Sequence, residues 1–163
     1  MTKQTNSAEA VFLALLAELE MDLPEPKPVA AYVAAKRAGS LLFVSGQLTM
    51  ERGDLIATGT VPGAVDEAKA KACAVRCAVN GLAVAKAALG SLDRVRSVAS
   101  LGVFVASEPG FVGQPRIADA ASEVMVRVFG EAGRHARAAV GSVALPLGAP
   151  VEIEMTLEVV EAG

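Results

Sequence analysis

VEIEMTLEV, residues 151–159, alternates without a break. Val151, Ile153, Met155, Leu157 and Val159 fall on one side of an extended chain, and Glu152, Glu154, Thr156 and Glu158 fall on the other, because successive strand side chains point to opposite faces. A strand of this kind buries one face and needs helices to cover it. The fold therefore turns on where the chain supplies that cover.

Two long helical segments lie upstream. Residues 66–89 contain no proline and are dominated by alanine; Cys73, Cys77, Leu82 and Leu89 fall mostly apart from Glu67, Lys69, Lys71, Arg76 and Lys86. Gly81 inside this helix costs about 1 kcal/mol relative to alanine and hints at close packing, and Gly90 supplies the stop. The second segment opens at Pro115, suited to the first helical position, and carries a stripe of Ile117, Ala121, Val124, Met125, Val128 and Phe129, with Gly130 or Gly133 to end it. Between the two helices, residues 95–105 read as a central strand followed by the turn Ser107-Glu108-Pro109-Gly110.

Nearer the N-terminus, Asn6 and Glu9 resemble a capping box for a short amphipathic helix over 7–20, with Val11, Phe12, Leu15, Leu16 and Leu19 at helical spacing. LPEPKP then forces an extended path. Strands are expected over 32–37 and 41–46, joined at Ala38-Gly39-Ser40, with a weak strand over 56–61. This order predicts an α+β sandwich, a sheet with both long helices on one face. Its 163 residues fit one domain, in which 1–28 form the N-terminal helix and proline-rich lead-in.

At 53% apolar, with no tryptophan, one tyrosine and five phenylalanines, the chain draws its apolar mass from small side chains, part of it available for subunit contacts. A net charge of -3 with no basic cluster gives no reason to expect nucleic acid. No uncharged run reaches the roughly 18 to 20 residues that span a bilayer, and VFLALLA, lying between Glu9 and Glu18, is no signal peptide, so a cytoplasmic protein is expected. Cys73 and Cys77 share a helix face, but no further cysteine or nearby histidine completes a metal site; both read as buried small hydrophobes.

Nucleotide loops, zinc motifs and nucleophile elbows are absent from the sequence. His135, the only histidine, reads as a surface or turn residue beside Arg134 and Arg137. Arg137 opens the apolar run in GRHARAAVGSVALP, residues 133–146, and its guanidinium fits a carboxylate with two parallel bonds. A glutamate on the last strand could position a water. Two readings stand. If residues 144 and 151 close a hairpin, Arg137 faces Glu158 in a structural ion pair; otherwise Arg137 marks a binding site. The same hairpin would put Glu152 roughly 20 Å from Arg137, so that joint action would require an irregular hairpin or a subunit boundary.

GSLLFVSGQL, GSLDRV, SEPGF, VFGEAGRHARAAVG, ALP and VEIE, in that order, resemble the RidA (YjgF/YER057c/UK114) family, and more specifically its longer branch with an N-terminal helix before LPEP. The resemblance implies a chorismate-mutase-like fold and a homotrimer whose sheets turn inward, with ligand clefts between subunits. It implies hydrolytic deamination of small 2-imino or enamine acids to 2-keto acids and ammonia, without metal or organic cofactor. Carried over, Arg137 grips the substrate carboxylate, Glu152 stands near the reacting water, Tyr32 borders the cleft, and Ser45 and Gly46 line it. Where shorter members carry a cysteine after the arginine, this chain has Ala139. Their asparagine from the second long helix is replaced by Asp119 or Ala120 in ADAAS. The family's endoribonuclease label finds no basic groove or stacking platform in this sequence. The alternative reading is a non-catalytic metabolite-binding or chaperone-like protein using the same cleft.

Overall fold

The computed structural model describes residues 7–25 and 32–160. Helix α1 (Ala8–Glu18) is followed by β1 (Ala35–Ala38), β2 (Leu41–Leu48), the two-residue strands β3 (Met50–Glu51) and β4 (Asp54–Leu55), α2 (Glu67–Leu89), β5 (Val95–Ala106), α3 (Gln114–Phe129), β6 (Ala136–Ser142) and β7 (Val151–Val159). Five strands form one sheet in the order β1-β2-β7-β5-β6, antiparallel except for the parallel β5–β6 pair. The alternation of residues 151–159 holds: the five apolar side chains of β7 are buried, while Glu152, Glu154, Thr156 and Glu158 lie on the opposite face.

Helices α2 and α3 cover the apolar face. Asp66 caps α2 by accepting a 2.7 Å hydrogen bond from the Lys69 N–H, and Gly90 ends it in the left-handed conformation. Among the described residues α2 is the one helix apolar and long enough by composition to cross a bilayer, yet it is the core helix, with 72% of its most apolar window buried. Gly81 packs where α2 meets β7: a Cβ there would lie 2.2 Å from Met155 Cε. Pro115 is the second residue of α3, and Ile117, Ala121, Val124, Met125 and Val128 are buried.

The structure departs from the sequence reading in several places. Ser7 caps α1, accepting from Ala10 N–H at 3.1 Å, while Asn6 lies outside the described residues. Glu9 instead reaches across to Lys86 at 2.7 Å and to the Leu92 N–H at 3.1 Å. The first sheet strand spans only Ala35–Ala38, and no strand forms over 56–61; Val61 makes one isolated bridge to Ser107, and the local pairing is the β3–β4 hairpin instead. Arg76, grouped above with the solvent-facing charges, is 3% exposed. Residues 144–151 do not close a hairpin, because β6 pairs with β5 and β5 separates it from β7.

Candidate functional site

The strand motif FVSGQ forms an irregularity that opens one end of the sheet. Pairing of β2 with β7 shifts between Val44 and Gln47, so that Ser45 and Gly46 together oppose one residue, a bulge that redirects the strand. The β1–β2 ladder ends at Val44, and beyond the Ser45 N–H no further strand among the described residues pairs with that edge of β2. Ser45 ties down the preceding segment: its N–H donates to the Ala34 carbonyl at 2.9 Å and its Oγ to the Val33 carbonyl at 2.8 Å. Gly46 lies under the Glu152 carboxylate, for a Cβ at Gly46 would sit 1.9 Å from Glu152 Oε1. Any larger residue at 46 would push the Glu152 carboxylate out of this position.

A cleft of about 720 Å³ occupies this free edge, lined by Leu23, Tyr32, Gly46, Arg76, Asn80 and Leu147 among others. Tyr32 is 56% exposed at its border. Two buried polar residues of α2 shape the cleft floor. Arg76 donates through Nε to the Met50 carbonyl at 2.9 Å and pairs with Glu51 at 3.2 Å, and Asn80 Nδ2 donates to the Leu48 and Met50 carbonyls, both at 3.0 Å. Sequence reasoning missed both residues. The signal was spacing: Arg76 and Asn80 continue the Cys73 and Cys77 face at helical intervals, so that burial of the cysteines carries them inward.

Glu152 is half-buried on the open sheet face. Burial and then the neighbouring Glu154 carboxylate raise its pKa above the ordinary carboxylate value, since both disfavour the charged form.

Arg137 lies elsewhere. It occupies the edge strand β6 on the helix-facing side of the sheet, where its neighbour across the pair is Leu101. Its main chain is open at the sheet edge, and its side chain is 23% exposed. Nη1 donates to Asp119 Oδ1 at 2.9 Å and to Ser122 Oγ at 3.0 Å, and Nη2 lies 3.4 Å from the Pro115 carbonyl, all on α3. Arg137 therefore pairs with Asp119; Glu158, which accepts from Ser97 Oγ at 2.8 Å, takes no part.

His135 belongs to the same cluster. Its Nδ1 lies 2.5 Å from the Gly133 carbonyl and its Nε2 3.0 Å from Ser122 Oγ. The carbonyl can only accept, so Nδ1 carries hydrogen, and Ser122 Oγ, which accepts from Arg137, has its own hydrogen to give to Nε2. A directed chain thus runs from the guanidinium through Ser122 and His135 to the backbone and fixes the guanidinium plane. Ala139, two residues along, is partly buried against the core beside Val103.

Within one chain the two groups do not meet. Glu152 pairs with Phe104 and Arg137 with Leu101, so they stand three register positions apart, with β5 between their strands and on opposite faces. The offset amounts to about 10 Å along the strands and about 10 Å across them. Tyr32, Ser45, Gly46 and Glu152 cluster at the β2–β7 end, whereas Arg137 and Ala139 sit on the far edge.

A five-stranded mixed sheet with two long helices packed on one face and a short N-terminal helix beside them is the architecture of the YjgF/chorismate mutase-like class. The chain belongs to the YjgF/RidA/UK114 family: residues 14–158 match the family described as "YjgF/chorismate mutase-like, putative endoribonuclease". It is 46% identical to the protein Atu1372 of Agrobacterium tumefaciens, of unknown function, whose crystal structure aligns with a TM-score of 0.86 over 93% of this chain and 94% of that one. RidA from an Antarctic Psychrobacter is 30% identical, with a TM-score of 0.59 over 82% of this chain and 93% of that one. Protein TCP17 of Trypanosoma cruzi is 42% identical over 132 residues, 80% of this chain and 82% of its own length.

Proposed function

We propose that the protein is a hydrolytic deaminase of small 2-imino acids, acting as a cytoplasmic homotrimer of one RidA-like domain per chain. Arg137 of one copy and Glu152, Gly46, Ser45 and Tyr32 of a neighbour complete each cleft. The observation that carries this reading is the guanidinium of Arg137. It is oriented by Asp119 and the Ser122–His135 chain, and its Nε has no hydrogen-bond partner among the described residues. With one Nη2 hydrogen toward the Pro115 carbonyl at 3.4 Å, Nε and the second Nη2 hydrogen are the donors left for a carboxylate.

With the substrate carboxylate held there, water adds to the C=N carbon and gives up a proton as the new C–O bond forms. The carbinolamine nitrogen gains a proton, the hydroxyl gives up its own to solvent or Glu152 as C–O becomes C=O and the C–N bond breaks, and ammonia and a 2-keto acid leave. Glu152 is the group suited to receive the proton from water. Its raised pKa makes it a stronger base than an ordinary exposed carboxylate. Free imines already hydrolyse readily, so orientation and electrostatic positioning suffice.

The test is an assay in which an amino-acid oxidase releases imines and semicarbazide competes for them. Wild type should accelerate keto-acid formation. Arg137→Ala, losing a charge-assisted contact worth about 1.5 to 3 kcal/mol, should lower that acceleration about 10- to 150-fold. Glu152→Gln should retain keto-acid binding by calorimetry and lose turnover, which separates catalysis from binding alone. Wild-type activity in Arg137→Ala on every imine tried would refute the reading.

A further inference from the structure

We propose that His135 is a positioning residue of the carboxylate clamp: it holds the hydroxyl hydrogen of Ser122 and so makes the serine oxygen the second acceptor that sets the plane of the Arg137 guanidinium. The inference rests on the carboxylate-binding role proposed for Arg137. It assigns part of the strength of that grip to a side chain that does not touch the ligand.

The two Nη1 hydrogens of Arg137 lie in the guanidinium plane and have separate acceptors, Asp119 Oδ1 at 2.9 Å and Ser122 Oγ at 3.0 Å. Asp119 is 60% exposed, and one bond to a solvated carboxylate leaves the plane free to rock about that contact. A second acceptor removes the freedom, because two bonds from one planar nitrogen define the plane. The aim of Nε and of the remaining Nη2 hydrogen, the donors left for a ligand, follows from it.

Ser122 needs a reason to face outward. It lies within α3, where a serine hydroxyl commonly donates back to the carbonyl four residues earlier, here that of Ala118. Its partners among the described residues are instead His135 Nε2 at 3.0 Å and Arg137 Nη1. The imidazole accounts for the difference. With Nδ1 2.5 Å from the Gly133 carbonyl, the opposite tautomer would set two lone pairs against each other. Nε2 is therefore the acceptor that draws the serine hydrogen away from the helix backbone. Gly133 fixes the carbonyl in its turn: it is buried against α3, and a Cβ there would collide with the backbone of Met125 and Val126.

The two ring nitrogens have different partners, and amide side chains reproduce them one at a time. In His135→Gln the amide stands where Nε2 was and can accept from Ser122. In His135→Asn it stands where Nδ1 was, can donate to the Gly133 carbonyl and falls short of the serine. Pyruvate binding is measured by calorimetry on the intact protein, with the fold checked by circular dichroism. Ser122→Ala and His135→Asn should each weaken binding about three- to tenfold, the range of one net hydrogen bond. Together they should cost no more than either alone, since both break one chain. His135→Gln should stay within about twofold of wild type. A role confined to the turn at 133–135 predicts the reverse order, with asparagine tolerated and glutamine not. A second measurement needs no ligand. The nitrogen-15 spectrum of the single histidine should show Nδ1 protonated at about pH 8, where imidazole is ordinarily neutral, and the Nε2 signal should move in Ser122→Ala.

A wild-type tautomer with hydrogen on Nε2 overturns the proposal. So does His135→Asn binding pyruvate as well as His135→Gln, or Ser122→Ala binding it as wild type does. If binding in those cases still disappears in Arg137→Ala, the carboxylate role of Arg137 stands without its relay. Pyruvate binding that survives Arg137→Ala, or no binding in wild type, overturns both readings.

Discussion

Glu152 ionises against both desolvation and the charge of Glu154, and its folded-state pKa stands above the unfolded value of 4.5. The sign follows from linkage: between those two values the folded protein holds a proton that the unfolded chain has released. The stabilisation from the neutral carboxyl is present below 4.5 and is lost as pH rises through the folded value. Glu152→Gln fixes the neutral form. Its unfolding free energy from urea titration at pH 7 should therefore equal or exceed that of wild type, by about 1 kcal/mol or less because the group is partly solvated. The wild-type decline just above pH 4.5 should flatten in the variant, and parallel pH profiles would show that another group titrates there. At this scale the arginine and the glutamate could be read as exceptional residues. Asp119 as the partner of Arg137 could not, because the helix that carries it meets β6 only in the folded chain.

Helix α1 is held by more than its apolar stripe. Phe12, Leu15 and Leu16 are buried, Glu18 pairs with Arg127 of α3, and Glu9 joins Lys86 of α2 and the start of the segment leading to β5. The Lys86 hydrogen bond, then Ser91, brings the Glu9 pKa down to about 2. A depressed carboxylate contributes stability that is present above 4.5 and lost as pH falls through about 2. Glu9→Gln should exchange the amides of Ala8–Glu18 severalfold faster than wild type at neutral pH while leaving the sheet protected. The difference should vanish near pH 2, where wild type has lost the same charge; equal exchange at pH 7 would show that apolar packing alone docks the helix. The elements were legible by different signals: α3 and β7 each carry an amphipathic pattern, whereas α2, buried on every side from Arg76 to Ala85, showed itself as a long alanine-rich run without proline. The region over 56–61 was misread because a short apolar run carries no period strong enough to tell a strand from an extended loop.

For the whole molecule, the open sheet face leaves Phe43 44% and Val140 46% exposed, and the loops at one end leave Val143 at 93% and Leu147 at 73%. Burying these groups is worth about 25 cal/mol per Å² of apolar surface, which supports the proposed trimer together with the separation of Arg137 from Glu152. Sedimentation equilibrium at micromolar protein should give about three times 16.6 kDa. Phe43→Glu, placing a charge on that face, should shift the protein toward monomer and remove imine hydrolysis while the circular dichroism spectrum persists. A wild-type monomer with full activity would refute the composite cleft.

The sequence by itself determined what local periodicity and stereochemistry control. The alternation over 151–159 set which face of β7 is buried, alanine-rich spacing set α2, and the ordered motifs set the family. Only the tertiary structure decided which strands pair. Residues 136–142 and 151–159 are close in sequence and both extended, which suggested a hairpin between them. The observed sheet instead places β5 between them, because the long apolar strand gains more by burying both of its edges than the short edge strand would. That choice turned Arg137 away from Glu158 and toward Asp119 of α3, and it put Arg137 and Glu152 on opposite faces of the sheet. Pairing across a sheet depends on contacts distant in sequence, and no local pattern encodes them.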